Sequence, residues 1–311
     1  MNKYIEKIQN NPENFKINFL FYKRARDAMF DIINNLNVHG FMDIYVPDYI
    51  GWSPKEGSGI FDPLNTISDL KRHYYKMSRE LEIDVMDLKK EIKKHSILLV
   101  VNYFGFRDKS LRELIEYAHS IDCIVIEDNA HGFYTYFCKG KAEADVTFFS
   151  LHKMFPFSQG GGMIIDNKDL MVEELNNIKE PIGFNPFKYD YNSIARKREE
   201  NYRALYLMME NCESYFIPLK DISAIEKNVP QTFPIIIKRG NRDKIYKIMN
   251  DAGYGVVSLY HTLIEELRGS EHSKALWLSQ HIMNLPIHQD TDKTMYKGML
   301  NTLICACNQT T

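Results

Sequence analysis

No pair of cysteines in this sequence has the spacing of a zinc clamp. The five cysteines (Cys123, Cys138, Cys212, Cys305 and Cys307) are odd in number and scattered. None forms a C-x-x-C pair, and Cys305-Ala306-Cys307 is too tight for a metal site. Reduced thiols in a cytosolic protein are the expectation. An excess of charge is missing too: 39 basic side chains face 41 acidic ones, for a formal net charge of −2. There is thus no basic surplus to neutralise a nucleic-acid backbone, and nucleic acid is excluded as an expected partner. Lysine-rich runs such as KKEIKKH read as solvated helix faces. Long apolar runs are also lacking. The longest, around Ile97 to Val101, is far too short to cross a bilayer, and the polar opening MNKYIEKIQNNPENF has no secretory apolar stretch. Internal repeats and low-complexity tracts are absent, and the 16 glycines and 11 prolines are spent locally rather than in a linker. What remains is a chain of 311 residues that is 44% hydrophobic, ample for one large core or a large domain with a smaller one attached. A cytoplasmic globular protein without a membrane partner is expected.

Strand-like and helix-like segments alternate over the first two hundred residues. Ala25, Ala28, Met29, Ile32, Ile33 and Leu36 recur at helical spacing. MDIYVPDYI reads as a strand stopped near Pro47. SILLVVNYF is a continuous apolar strand, as a sheet covered on both faces requires, and a helix follows with Leu111, Leu114, Ile115 and Ala118 on one face. CIVIED, VTFFSL and GGMIID are further strands. This repetition predicts an α/β fold with a large, mostly parallel sheet. Ligands of such sheets gather beyond the carboxyl ends of the strands, and Asn102, Asp128 and Ser150 all fall at such ends. After about Asp190 the pattern changes. NSIARKREENYRALYLMMENC predicts one long charged helix with Ile194, Tyr202, Leu205 and Met208 available for packing. TFPIIIK, a helix near Arg242–Ala252, YGVVSLYH and a helix around Ser273–Met283 predict a compact α+β unit. The expected organisation is a large α/β domain over residues 1–190, then a connecting helix and a small C-terminal α+β domain over 191–311.

The stretch IEDNAHGFYTYFCKGKAEADVTFFSLHKMFPFSQGGG, from Ile126 to Gly162, carries the chemistry. A carboxylate at a strand end often does no more than cap a turn. Asp128, however, is crowded by Asn129, Ala130, His131 and Gly132, and the chain returns to the same end at Ser150–Gly162. Lys153, beside MFPF and GGG, is placed to be partly desolvated, which lowers an amine's pKa and makes it a nucleophile for Schiff-base chemistry. Ser150 lies three residues earlier; across a tight turn its hydroxyl and the ammonium share one side, where hydroxyl and nearby amides suit a phosphate. Gly160–Gly162 permit close approach of a bulky ligand. Ser-x-x-Lys also opens the site of serine β-lactamases, but that chemistry needs an S-D-N and a K-T-G that this sequence lacks. A phosphate cradle, a Schiff-base lysine and an acid at a strand end together describe pyridoxal 5′-phosphate (PLP), with the acid keeping the pyridine nitrogen protonated.

VIEDNAHGF, followed by ADVTFFSLHK and GGGMIID, resembles the DegT/DnrJ/EryC1/StrS aminotransferases, PLP-dependent enzymes of fold-type I that aminate keto sugars on nucleotide carriers. PIGFNPF resembles the family's G-[FY]-N segment and ARKREENYRAL its arginine-rich helix. TFPIIIKRGNRDKIYKIMNDAGYGVVSLYH and LPIHQDTD resemble its C-terminal domain, so the similarity runs over roughly residues 20 to 305. The resemblance implies that Lys153 bonds the cofactor and later shuttles the proton, and that Asp128 pairs with the pyridine nitrogen. It further implies that His131 approaches the ring and phenolic oxygen, that Ala130 belongs to the same cofactor-binding set, and that Ser150 binds the phosphate. Asn185 would reach across a dimer interface to the neighbour's phosphate, making a homodimer with shared active sites. The ring's aromatic partner would be Trp52, or else Tyr49. The implied substrates are an amino-acid donor and a keto-sugar acceptor.

The departures from the family pattern are specific. Arg26 and Asp27 stand in YKRARDAMF where small residues normally give amides to the phosphate. Serine and lysine are three residues apart rather than five, and the stretch between GFN and the arginine-rich helix is compressed. Some relatives carry histidine in place of the lysine and dehydrate their substrate; His152 directly precedes Lys153, so a shift of one position would change the reaction. A PLP-dependent dehydratase or lyase, and a non-catalytic member acting as a binding subunit, therefore stand as alternatives to the aminotransferase.

Overall fold

A computed structural model of the chain describes residues 18–170, 172, 174–179 and 183–311. The polar opening segment and Pro181–Ile182 of PIGFNPF lie outside the described residues. In chain order the strands and α-helices are β1 (Phe19–Tyr22), α1 (Ala25–Val38), β2 (Asp43–Pro47), α2 (Phe61–Asn65), β3 (Lys71–Tyr75), α3 (Val85–Glu91) and β4 (Ile97–Val101). They continue with α4 (Leu111–Ser120), β5 (Ile124–Asn129), α5 (Phe133–Lys139), β6 (Val146–Ser150), α6 (Leu151–Met154), β7 (Gly161–Ile165) and α7 (Tyr191–Leu207). Last come β8 (Phe216–Pro218), β9 (Phe233–Ile237), α8 (Arg242–Asp251), α9 (Ser273–His281), β10 (Ile282–Leu285) and α10 (Met295–Gln309).

Seven strands form one sheet in the order β1-β7-β6-β5-β4-β2-β3. The pairs β3·β2, β2·β4, β4·β5 and β5·β6 are parallel, while β7 runs antiparallel to both β6 and β1. The expected α/β fold with a large, mostly parallel sheet is therefore present. All five residues of β4 are buried, as an apolar run between two neighbours in a doubly covered sheet must be. In α1 the buried face carries every one of the apolar residues spaced at helical intervals. A second sheet, β10-β9-β8, is antiparallel and is drawn from the chain beyond α7.

Two details of the C-terminal part differ from expectation. The helix starting at Ser273 ends at His281, and the next four residues pair with β9 as β10, because Ile282, Met283 and Leu285 bury more fully against a strand. YGVVSLYH is no strand; its one ladder contact is the bridge of Val257 to Asn284, and Tyr260 turns into a left-handed backbone with φ 58°. In α7, Tyr202 and Leu205 pack inward as expected, whereas Met208 lies in solvent and the buried surprise is Arg198. Its guanidinium donates to Gln289 Oε1 at 3.1 Å and to the Gln231 carbonyl at 3.3 Å, and lies over the Tyr134 ring.

Glycines 161 and 162 make room for protein rather than for a ligand. A Cβ on Gly161 would stand 2.3 Å from the Arg24 carbonyl carbon, and one on Gly162 would stand 2.0 Å from the Phe19 ring. They let β1 and the start of α1 press onto β7, next to the loop that carries the lysine.

Strand alternation sorts the acids of β5 onto opposite faces. Glu127, fully buried, accepts from Asn102 Nδ2 at 2.7 Å and from Arg107 Nε at 2.9 Å. The Asn102 side chain is thereby committed to this cluster, bonding also to Asn129 Oδ1, and does not join the Asp128 carboxylate as its strand-end position suggested; only its backbone amide meets the Asp128 carbonyl. Arg107→Ala leaves the buried Glu127 carboxylate without its counter-charge, so a loss of about 3–5 kcal/mol is expected. Urea unfolding of the variant measures it, and Arg107→Ala combined with Glu127→Gln should recover most of the loss.

Candidate active site

Asp128 belongs to the last turn of the pleat of β5 and is 5% exposed. One carboxylate oxygen accepts the Ala130 amide at 2.8 Å; the other has no hydrogen-bond partner among the described residues. Burial pushes its pKa up to about 6, against the opposing pull of the Ala130 amide and of Lys153. A nearly buried carboxylate with a free oxygen is the arrangement that receives a cationic N–H.

Three residues on, His131 is 3% exposed and its protonation follows from its neighbours. The Phe104 amide donates to its Nδ1 at 3.2 Å. A backbone N–H can only donate, so Nδ1 carries the lone pair and the proton of the neutral ring sits on Nε2. Burial above all holds this histidine well below the usual imidazole pKa, so the ring is neutral.

Nε2 of His131 lies 3.0 Å from Lys153 Nζ. With its proton on Nε2 the histidine donates, and the lysine accepts through the lone pair of a free amine. The residue as a whole keeps access to solvent, while its amine end turns in against buried His131. Desolvation accordingly lowers the pKa of Lys153; Asp128 opposes this, as does Glu56, and Arg26 reinforces it. Burial of the amine end thus biases Lys153 toward the free amine, the state that attacks a carbonyl.

Lys153 stands on α6, a single turn launched from the end of β6. Within that turn the register is unambiguous: Lys153 reaches His131, whereas His152 Nδ1 lies 3.2 Å from Ser150 Oγ. Ser150 and Lys153 therefore do not meet; the serine hydroxyl is engaged by the intervening histidine. A dense aromatic cluster that includes Phe133, Phe149 and Phe155 packs beneath this turn and fixes its height.

The remaining expected site residues lie elsewhere. Asn185 caps its own turn, its Oδ1 accepting from the Phe187 amide at 2.9 Å. Trp52 is 39% exposed and makes no ring contact with His131; its amide donates to the Thr262 carbonyl. Tyr49 is fully buried, its ring 5.4 Å from those of Tyr103 and Tyr260. The rings that do lie against His131 are Phe104, near parallel at 6.1 Å, and Tyr260, near perpendicular at 6.1 Å. Sequence reading singled out neither. Arg26, noted only as a departure, turns its guanidinium to the Glu56 carbonyl at 3.2 Å and brings both residues within electrostatic reach of Lys153. A cavity of about 400 Å3 opens beside the lysine, bordered by His152, Lys153, Tyr189, Lys197, His288 and Asp290. His288 thus shares a wall with Lys153, while His261 is tied to the Ser258 carbonyl.

Residues 77–189 match the DegT/DnrJ/EryC1/StrS aminotransferase family. The arginine decarboxylase of Bacillus cereus is 35% identical over 109 residues, 31% of this chain and 22% of that enzyme. The chain thus spans about a fifth of the length of the curated relative it matches. Over nearly the whole chain the fold is similar to that of Helicobacter pylori PseC, an aminotransferase involved in the biosynthesis of pseudoaminic acid (13% identity, TM-score 0.69, 94% of this chain and 87% of that one). It is also similar to the E. coli GDP-4-keto-6-deoxy-D-mannose-3-dehydratase with bound hydrated PLP (15% identity, TM-score 0.67, 92% of this chain and 87% of that one). The stretch that carries Asp128, His131 and Lys153 thus lies within the residues that match the DegT/DnrJ/EryC1/StrS aminotransferase family, in a chain whose fold is of the fold-type I class.

Proposed function

We propose that this chain is a PLP-dependent aminotransferase that moves an amino group from an amino-acid donor to a keto sugar, carried on a nucleotide. The observation that carries the reading is the Lys153 amine 3.0 Å from Nε2 of His131, beside the half-satisfied carboxylate of Asp128. The donor set fits the cofactor: an unprotonated amine for its aldehyde, a buried anion for its ring nitrogen, and the small Ala130 beside them. When bound, the cofactor supplies an aldehyde that condenses with amines and a ring that draws electrons from the neighbouring carbon.

The chain's own residues do the rest. Asp128 would hold a proton on the nitrogen of the bound ring. His131 would orient the Lys153 amine through Nε2–H, and Lys153 would bond the cofactor and serve as the base and acid that moves the substrate proton. That general acid–base role needs an amine whose pKa is lowered toward the working pH. The cavity beside Lys153 receives the acceptor, and Asn185 reaches the phosphate site of a second copy in a homodimer.

Absorbance of the purified protein before and after PLP, followed by borohydride and peptide mapping, tests this. A near-visible band that borohydride fixes onto Lys153, and that an amino donor bleaches, supports it. Absence of both the band and the covalent capture sinks it. The register of Lys153 over His152 weighs against the dehydratase alternative. A decarboxylase is the second reading, favoured by the local identity to the B. cereus enzyme. Carbon dioxide release from an amino acid, without transfer to a keto acceptor, would select it.

A further inference from the structure

Tyr260 comes from the C-terminal part of the chain, yet its ring sits over the site built by β4, β5 and β6. It is 6.1 Å from His131, 5.9 Å from Phe104 and 5.2 Å from Tyr103, each time edge to face, and near parallel to Tyr49 at 5.4 Å. Asp128 is close enough for its charge to add to burial in raising the Tyr260 hydroxyl. That hydroxyl has no hydrogen-bond partner among the described residues.

The ring is delivered by construction. Tyr260 holds φ 58°, a conformation that bulky residues adopt only where the surroundings impose it and that concentrates at functional sites. The imposing contacts are Tyr49 Oη donating to the Tyr260 carbonyl, the Trp52 amide to Thr262, the Ile264 amide to Ile50, and the bridge of Gly51 to Leu263. At Gly51 a Cβ would stand 2.8 Å from Tyr260 Cδ1. The end of the loop after β2 is bare at the one point where the tyrosine passes.

We infer that Tyr260 is the aromatic side chain that covers the cofactor ring in this chain, in place of Trp52. The inference rests on the function proposed above. Trp52 points to solvent, and its main chain serves to hold the Tyr260 turn. Tyr260 brings from the C-terminal part a flat apolar surface to Asp128, His131 and Lys153, which sit at the ends of β5 and β6.

Equilibrium dialysis with pyridoxamine phosphate tests this, since that form has no aldehyde and cannot bond to Lys153. Tyr260→Ala and Tyr260→Leu should each weaken binding about ten-fold, Leu keeping the bulk but not the ring. Tyr260→Phe and Trp52→Ala should stay within about two-fold of wild type. Unchanged or tighter binding by Tyr260→Ala would mean the ring plugs the site, and a loss with Trp52→Ala would return the role to the tryptophan; either overturns the inference alone. Wild-type protein that takes neither PLP nor pyridoxamine phosphate overturns the proposed function, and this inference with it.

Discussion

Lys153→Ala is expected to lower amino transfer by about 10⁴-fold or more, the scale seen when a group that serves as both nucleophile and proton carrier is removed. Arginine at 153 should not restore it, because a guanidinium stays protonated and has no lone pair to receive the His131 Nε2–H. Small primary amines added to Lys153→Ala should restore part of the rate, with an efficiency that follows their basicity. Stopped-flow absorbance of the donor half-reaction separates proton movement from cofactor retention. His131→Phe makes the companion case. It keeps the bulk but removes the donor that orients the amine, so a smaller loss and an upward shift in pH of the acid-side limb of the rate profile are expected. An unaltered half-reaction in Lys153→Ala would remove the lysine from the chemistry.

Asp128→Asn is expected to cost about 10³-fold in rate while stabilising the cofactor-free protein. The carboxyl's folded pKa of about 6 lies above the 3.8 of the unfolded chain, so the folded state binds this proton the more tightly. Its contribution to stability is greatest below about pH 4, where both states hold the proton. It falls as pH rises from 4 to 6 and is then lost in full, a difference of about 3 kcal/mol. Asparagine keeps the acceptor for the Ala130 amide and carries no charge to desolvate. Denaturant titrations at several pH values should therefore show wild type and variant converging at pH 4 and separating by pH 7, with the variant the more stable. Saturating cofactor should close that gap from the wild-type side, because a protonated ring nitrogen gives the carboxylate its missing partner. Parallel pH curves with and without Asp128 would contradict the role.

The parts of this molecule that sequence displays are those set by local pattern. SILLVVNYF, CIVIED, VTFFSL and GGMIID became β4, β5, β6 and β7 because continuous apolar runs have one home in a covered sheet. Asp128, His131 and Lys153 were legible because each sits at a strand end or on the turn that follows it. What sequence hid was whatever depends on distant segments meeting. The four residues of β1 and the polar-looking KRHYY of β3 are too short and mixed to read alone, and gain their shape from β7 and β2. Asn102 has the same strand-end address as Asp128, and only its neighbours on the other face reveal that it serves Glu127. Tyr260 lies more than a hundred residues from Lys153, in a segment that the sequence assigns only to the C-terminal α+β unit. Its strained turn is imposed by contacts with Tyr49–Trp52, which no local rule encodes. The glycine triplet misled in a physical way: a missing side chain signals close approach, and here the visitors are Arg24 and Phe19.

The hydrogen bond from the Phe104 amide to His131 Nδ1 has an evolutionary consequence. The proton arrangement of the whole site starts from a main-chain N–H, which no codon at position 104 except proline's can delete. The vulnerable neighbour is Gly105, at φ 90°, where an added Cβ would stand 2.5 Å from the Val229 carbonyl oxygen. Drift in lineages of this protein should thus be read backwards from the usual intuition: the conspicuous aromatic at 104 is open to exchange as far as the histidine's tautomer is concerned. The plain residue beside it guards the reactivity of an amine some fifty positions away.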